Sequence, residues 1–205
     1  MTERSVDDVV FDIGGVLLDW NPDYLYRELI PDAGQREHFL TNVATPEWNL
    51  QMDAGRTWAE AVAELTSLHP EHAEWIEAYD TGWLKMVGGL IEGTSELLGE
   101  LREQGVPTYA LTNFSAEKWE IAKSAFPILA GFTGEVVSGT EQTVKPDEKI
   151  YRILLERYDL DPARSFYTDD KDYNVVAARA VGLDAETFID AQTLRTQLRE
   201  RGLPV

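Results

Sequence analysis

The sequence predicts an α/β fold: a parallel sheet with crossover helices, interrupted once by an inserted helical segment. Three observations lead there. An apolar run too short for a helix, Val9-Val10-Phe11, reaches Asp12 and then breaks into Gly14-Gly15, as a buried strand does where it ends in a tight loop. From residue 21 to about 89, apolar residues recur at helical spacing with no strand pattern between them. From residue 90 onward, helix and strand patterns alternate, the rhythm of a sheet built with crossovers.

The first strand therefore pairs with strands that resume only after the insert. Residues 1–19 and 90–205 are expected to form a Rossmann-like core, and residues 20–89 an α-helical cap. Right-handed crossovers gather the carboxyl ends of parallel strands on one edge, where such sheets hold their ligands, and the cap is expected to hang over that edge. A chain of 205 residues has room for one core and a module of this size.

Within the insert, helices are expected at 24–29, 36–42, 46–52, 57–68 and 72–83, set apart by Pro31, Gly34, Pro46, Gly55 and Pro70. Five of the six tryptophans, Trp20, Trp48, Trp58, Trp75 and Trp83, fall here and read as the core of a helical bundle. After the insert, helix 94–104 is closed by Gly105, strand 106–111 ends at Thr112-Asn113, and helix 116–124 follows. Strand 135–138, helix 147–158 and strand 165–168, ending in Asp169-Asp170, come next. Helix 173–181 is stopped by Gly182, and strand 184–188 and helix 191–201 complete the pattern.

Composition limits the partners. Against 37 acidic residues stand 18 basic ones, a formal charge of −19, which repels nucleic acid and anionic membrane alike. A phosphorylated substrate is repelled too, unless a metal or a well-placed lysine reverses the field locally. The absence of cysteine excludes a disulfide framework and thiolate metal sites and suits a reducing compartment. Residues 1–8 are polar, with no apolar segment behind a basic start, and no run approaches the length of a bilayer span. A soluble, cytoplasmic protein is expected.

Four strand ends or adjacent loops carry polar residues of a matching kind: Asp12, then Thr112-Asn113, then Lys145 in Val144-Lys145-Pro146-Asp147, then Asp169-Asp170 with Asn174. Carboxylates from two strands make a hard-oxygen site of the sort Mg²⁺ takes through few protein ligands, leaving positions for water and phosphate oxygens. A hydroxyl, an amide and an ammonium complete a cradle for an anion. Each has a plainer reading alone: Thr112 as a strand end bonding its own backbone, Lys145 as a loop lysine, Asn174 as a helix cap, Asp169-Asp170 as a turn. Together, in this order and at strand ends, they point to a site.

In these segments the chain resembles the haloacid dehalogenase superfamily of phosphatases, in the branch with a small helical cap between the first and second motifs. The likeness covers nearly the whole chain, through Phe11-Asp12-Ile13-Gly14-Gly15-Val16, Ala110-Leu111-Thr112-Asn113, Val144-Lys145-Pro146 and Tyr167-Thr168-Asp169-Asp170 with Asn174. It implies that Asp12 is the nucleophile, taking the phosphoryl group as an aspartyl-phosphate that water then hydrolyses. Asp12, the Gly14 carbonyl and Asp170 are implied as Mg²⁺ ligands, with Asp169 orienting the metal water. Thr112, Asn113 and Lys145 are implied to hold the phosphoryl oxygens, Lys145 also to stabilise the charge of nucleophile and transition state, and Asn174 to order the loop carrying Asp170.

One position departs from the pattern. Most phosphatases of the superfamily place a second aspartate two residues after the nucleophile, where this chain has Gly14. Glycine retains the carbonyl but loses the carboxyl that protonates the leaving oxygen, help typically worth about 10²–10⁴-fold. The sequence is similar here to the α-glucose-1-phosphatase branch, which also carries glycine, and a phosphatase acting on easily expelled groups such as a sugar 1-phosphate is expected. A metal-bound water or Asp169 is the expected stand-in for the missing acid. The alternatives are a metal-independent 2-haloacid dehalogenase, whose halide needs no proton, and a non-catalytic phosphate-binding or partner-binding relative. Against the dehalogenase, a pocket receiving a carboxylate substrate gains nothing from adjacent acids at Asp169-Asp170. For the small phosphorylated substrate, Trp20 and Asn21 after the nucleophile loop and Trp48, Asn49 and Met52 on a short helix are the candidate contacts, their aromatic and amide groups suiting a sugar ring, although core packing explains Trp48 and Met52 equally well.

Overall fold

Strand β1 (Asp8–Phe11) is buried along its whole length and forms the centre of a five-stranded sheet. In this computed structural model, which describes residues 5–205, β4 (Thr108–Thr112) and β6 (Ser165–Asp169) flank it. Strands β5 (Gly134–Val137) and β7 (Asp184–Thr187) lie outside these, giving the order β5-β4-β1-β6-β7 with every pairing parallel. Residues 1–4 of the segment expected in the core lie outside the described residues. Phe11 stands opposite Ala110 and Thr168, so Asp12, Thr112 and Asp169 emerge together at the carboxyl edge.

Alternation sends Val9, Phe11, Ala110 and Phe166 into one core, and Val10, Tyr109, Leu111 and Tyr167 into another. The first also takes Leu97, Leu98 and Leu101 of α6 (Thr94–Glu103), Trp119 of α7 (Ala116–Ala125), and Leu194 and Leu198 of α11 (Ala191–Glu200). The second takes Ile150, Tyr151 and Leu154 of α9 (Glu148–Tyr158) with Val175 and Ala178 of α10 (Asp172–Ala180). The expected alternation of strand and helix after residue 90 is observed, with one short helix, α8 (Ser138–Glu141), that was not anticipated.

The insert departs from expectation in one respect. Strand β2 (Leu18–Trp20) pairs antiparallel with β3 (Val87–Leu90), so a two-stranded ladder joins the start and end of a segment expected to be free of strands. Val87-Gly88-Gly89-Leu90 hides this because glycines replace the usual alternation. At Gly88 a Cβ would lie 2.5 Å from Asp19 Oδ2, so any larger residue would displace that carboxylate. Between these strands run α1 (Asp23–Leu29), α2 (Ala33–Asn42), α3 (Pro46–Asp53), α4 (Trp58–Leu68) and α5 (Ala73–Thr81). Thr45 and Thr57 start α3 and α4 by accepting hydrogen bonds from the Trp48 and Glu60 N–H groups. Trp58 stacks on Tyr79, and Trp48 meets both rings edge-on with centroids 5.7 and 5.2 Å away, so the insert packs around aromatic rings. Among the described residues no helix is long and apolar enough to cross a membrane.

Asp8, at the opposite end of β1 from Asp12, is 6% exposed. Its Oδ2 accepts from the Ser165 hydroxyl at 3.1 Å, while Oδ1 has no partner among the described residues. Burial pushes its carboxyl up to about 6, against the pull of Ser165 and with help from Asp7. The folded state thus binds this proton more tightly than the unfolded chain, so ionisation costs stability as pH rises from about 4 to about 6. Asp8→Asn is expected to raise stability by about 2 kcal/mol at pH 7 and to change it little below pH 4. Urea melts at both pH values test this; an equal gain at both would assign the effect to something other than the charge.

Candidate active site

At the carboxyl edge of the sheet, Lys145 joins two buried carboxylates. Its Nζ lies 2.8 Å from Asp12 Oδ1 and 2.7 Å from Asp169 Oδ2, and it also donates to the Leu111 carbonyl at 3.1 Å. Asp12 Oδ1 further accepts from the Ile13 N–H at 2.7 Å, which leaves Oδ2 as its uncommitted oxygen. Burial pushes the Asp12 carboxyl up to about 7, with Lys145 pulling against it and the Asp169 charge adding to it. Burial alone would depress the Lys145 ammonium, yet the two carboxylates hold it above its ordinary value. With two acids against one base, the cluster favours a further cation beside Asp12.

Asp169 is fully buried and surrounded by donors. Besides Lys145, its oxygens accept from the Tyr167 hydroxyl, from the Lys171 N–H at 2.8 Å, and from Asn174 Nδ2 at 3.0 Å to each. Although burial works against its charge, Lys145 and these donors hold it below the usual carboxylate range. An acid so committed has no proton to give, which corrects the expectation that Asp169 stands in for the missing general acid. It fixes the lysine instead. Asn174 holds Asp169 from the start of α10, consistent with an ordering function for that loop.

Asp12, Asp169 and Asp170 each offer a carboxylate oxygen within 4.8 Å of the others, an all-oxygen donor set that suits Mg²⁺. With Asp169 saturated by donors, Asp12 Oδ2 and Asp170 are the oxygens left for a metal. Among the described residues Asp170 is paired only at its rim, to the Lys171 ammonium at 2.7 Å. Gly15 makes room for it: at φ +76°, a Cβ on residue 15 would lie 2.7 Å from Asp170 Oδ2. The Thr112 hydroxyl is buried with no partner among the described residues. The Asn113 side-chain amide donates to the Lys145 carbonyl at 3.0 Å and accepts from the Lys145 N–H at 2.8 Å, so the side chain clamps the lysine loop and contact with a phosphoryl oxygen falls to the Asn113 backbone N–H.

Beside this cluster lies a cavity of about 90 Å³ between the sheet edge and the insert. Gly14 and Asn113 line it from the sheet, Trp20, Trp58 and Trp83 wall it, and Asn49 and Asp53 reach it from α3. Trp20, one of the candidate contacts, lines this cavity. Trp48 and Met52 do not: they form the buried face of α3, while Asn49 and Asp53, one residue further round, face the cavity. Asn21 is exposed and accepts from the Asp23 N–H at 2.9 Å, shaping the entry to α1 away from the cavity. Sequence reasoning missed Asp53, Trp58, Ser115 and Lys118; only the four-residue spacing of Asn49 and Asp53 signalled a polar face on α3.

The model of the haloacid dehalogenase-like hydrolases matches residues 6–182. The sesquiterpene phosphatase astK of Aspergillus oryzae is 28% identical over 195 residues, 93% of this chain and 94% of that protein. The pyrophosphatase PpaX of Bacillus velezensis is 25% identical over 209 residues, spanning 95% of this chain and 90% of its own. The solved structure of the HAD family enzyme bt-2542 from Bacteroides thetaiotaomicron, in complex with magnesium and inorganic phosphate, matches at a TM-score of 0.72 and 23% identity, over 90% of this chain and 95% of that one. On sequence, sheet topology and the ordered strand-end residues alike, this chain belongs to the haloacid dehalogenase-like hydrolases.

Proposed function

We infer that this chain is a Mg²⁺-dependent phosphatase that hydrolyses a small phosphomonoester through an aspartyl-phosphate on Asp12. The observation that carries this reading is the Asp12–Lys145–Asp169 chain with Asp170 beside it. Lys145 holds Oδ1 of Asp12, so Oδ2 attacks phosphorus and the bond to the leaving oxygen breaks; water then cleaves the aspartyl-phosphate. Thr112 receives a phosphoryl oxygen through its unpaired hydroxyl, and Lys145, kept charged by Asp169, stabilises the negative charge that builds on Asp12 and the phosphoryl group. Asp12, Asp170 and the Gly14 carbonyl would hold Mg²⁺, which when bound screens the substrate dianion from the carboxylates. The phosphatase names of two relatives and the magnesium and phosphate bound by a structural neighbour support the same reading.

Residues 1–19 and 90–205 then act as the catalytic core and residues 20–89 as the cap that admits substrate. The cavity between them, walled by tryptophans and edged by Asn49, suits a compact ring or apolar group on the leaving oxygen, and a sugar 1-phosphate is one ester of this kind. A haloacid dehalogenase is disfavoured because, with no metal bound, its carboxylate substrate would meet three carboxylates, Asp12, Asp169 and Asp170, against the two ammoniums of Lys145 and Lys171. The test is phosphate release from an aryl phosphate, glucose 1-phosphate and glucose 6-phosphate, with Mg²⁺ and with chelator, beside halide release from 2-chloropropionate. Metal-dependent release, strongest for the first two esters, is expected. Halide release untouched by chelator would establish the dehalogenase, and silence throughout a non-catalytic protein.

A further inference from the structure

Of the described residues lining the cavity, Asp53 is the one carboxylic acid, and Lys118 the other ionisable group. Lys118 is already committed, donating to the Asp80 carboxylate and, at 3.0 Å, to the Asp80 carbonyl. Asp53 is fixed from three sides. The Ser138 hydroxyl donates to its carbonyl at 2.5 Å, Asn49 Nδ2 donates to its Oδ2 at 3.0 Å, and the Ser115 backbone hydrogen-bonds its carboxyl. Ser115 stands three residues beyond Thr112, so a cap carboxyl is anchored to the loop that follows the phosphate-binding hydroxyl. Gly14, lining the same cavity, leaves open space: a Cβ built there meets nothing within 4 Å.

Resting on the phosphatase reading, we propose that Asp53 is the general acid and base that replaces the carboxyl absent at Gly14. As Asp12 Oδ2 bonds to phosphorus and the phosphorus–oxygen bond to the leaving group breaks, the Asp53 proton passes to the leaving oxygen, which departs as an alcohol. Asp53, now a carboxylate, takes a proton from the water that attacks phosphorus. The bond from phosphorus to Asp12 then breaks, hydrogen phosphate leaves, and both aspartates return to their starting states. Burial pushes the Asp53 carboxyl up to about 7 against the pull of Ser115, which suits an acid working near neutrality. The ionisable groups on the packed elements are Glu74, Glu77, Tyr79 and Asp80 of α5, Glu117, Lys118, Glu120 and Lys123 of α7, Glu60 and Glu64 of α4, and Glu141 of α8. Asp80 is paired with Lys118, Glu64 with Arg56 and Glu141 with Arg157; Glu117 accepts from the Trp58 N–H and Glu60 from the Thr57 hydroxyl.

The test is kcat/KM of the full chain with Mg²⁺ on p-nitrophenyl phosphate, whose leaving group needs little protonation, and on an alkyl phosphate, whose leaving group needs it. Asp53→Asn is expected to lose about 100-fold on the alkyl ester and at least tenfold less than that on the aryl ester. The fall in wild-type alkyl-ester turnover as pH rises past about 7 should vanish in the variant. Adding Gly14→Asp to Asp53→Asn is expected to recover at least tenfold on the alkyl ester, because the new carboxyl enters the same cavity. Equal losses on both esters, or a pH profile that survives Asp53→Asn, would overturn the assignment while the phosphatase stands. A wild type that hydrolyses neither ester would overturn both.

Discussion

Asp12→Asn is expected to lower phosphate release by roughly 10⁴-fold or more, the scale seen when a covalent nucleophile is removed, while the protein stays folded. The asparagine oxygen accepts from the Lys145 ammonium and the Ile13 N–H as Oδ1 does now, at 2.8 and 2.7 Å, so the loop keeps its anchor. The amide nitrogen in place of Oδ2 has no lone pair to offer phosphorus. The electrostatics do not oppose the change. Two carboxylates share one ammonium, and burial already pushes the Asp12 carboxyl up to about 7, so the variant leaves Lys145 and Asp169 as a neutral pair at 2.7 Å. The melting temperature is expected to stay within about 3 °C of wild type. Phosphate assays on an aryl ester, run beside thermal melts, check both halves. Turnover surviving in a folded variant would remove Asp12 as nucleophile.

The strand-end residues of this cluster were legible in the sequence because each follows a short strand-like run bounded by turn residues, and parallel strands present their ends on one edge. Lys145 was legible through its motif, although only the fold shows what holds it: Asn113 grips its backbone on both sides and Asp169 its charge. The cavity was harder to read. Helix α3 carries a Trp48/Met52 stripe and an Asn49/Asp53 stripe one residue apart, and periodicity gives both without saying which faces the sheet. The aromatic stripe went to the insert's own core, where Trp58 and Tyr79 wait for it, and the polar stripe was left for the cavity. Asp53 followed from no motif, because its partners Ser115 and Ser138 lie 62 and 85 residues away along the chain and meet it only when the insert folds over the sheet. The β2–β3 ladder escaped for the opposite reason, its strand signal erased by Gly88 and Gly89.

Lys145→Met, unlike Asp12→Asn, is expected to destabilise the fold strongly. Removing the ammonium strands two carboxylates in a pocket where Asp12 and Asp169 are 6% and 0% exposed, close enough to share one cation. Breaking a buried ion pair from one side costs about 3–5 kcal/mol, because the partner charge stays buried without compensation. Asp169 keeps its donors from Tyr167, Lys171 and Asn174, so the burden falls on Asp12, whose carboxyl is then driven further up by both burial and its neighbour. A protonated Asp12 is a poor nucleophile, and the phosphoryl group loses its ammonium as well, so turnover is expected to fall by about 10³-fold or more. The charge argument separates from simple loss of packing through a second substitution. Lys145→Met with Asp169→Asn leaves one carboxylate instead of two, and is expected to recover most of the stability and none of the activity. Urea melts of the three proteins decide it: if the double variant is no more stable than Lys145→Met, Lys145 supports the fold through packing and not through its charge.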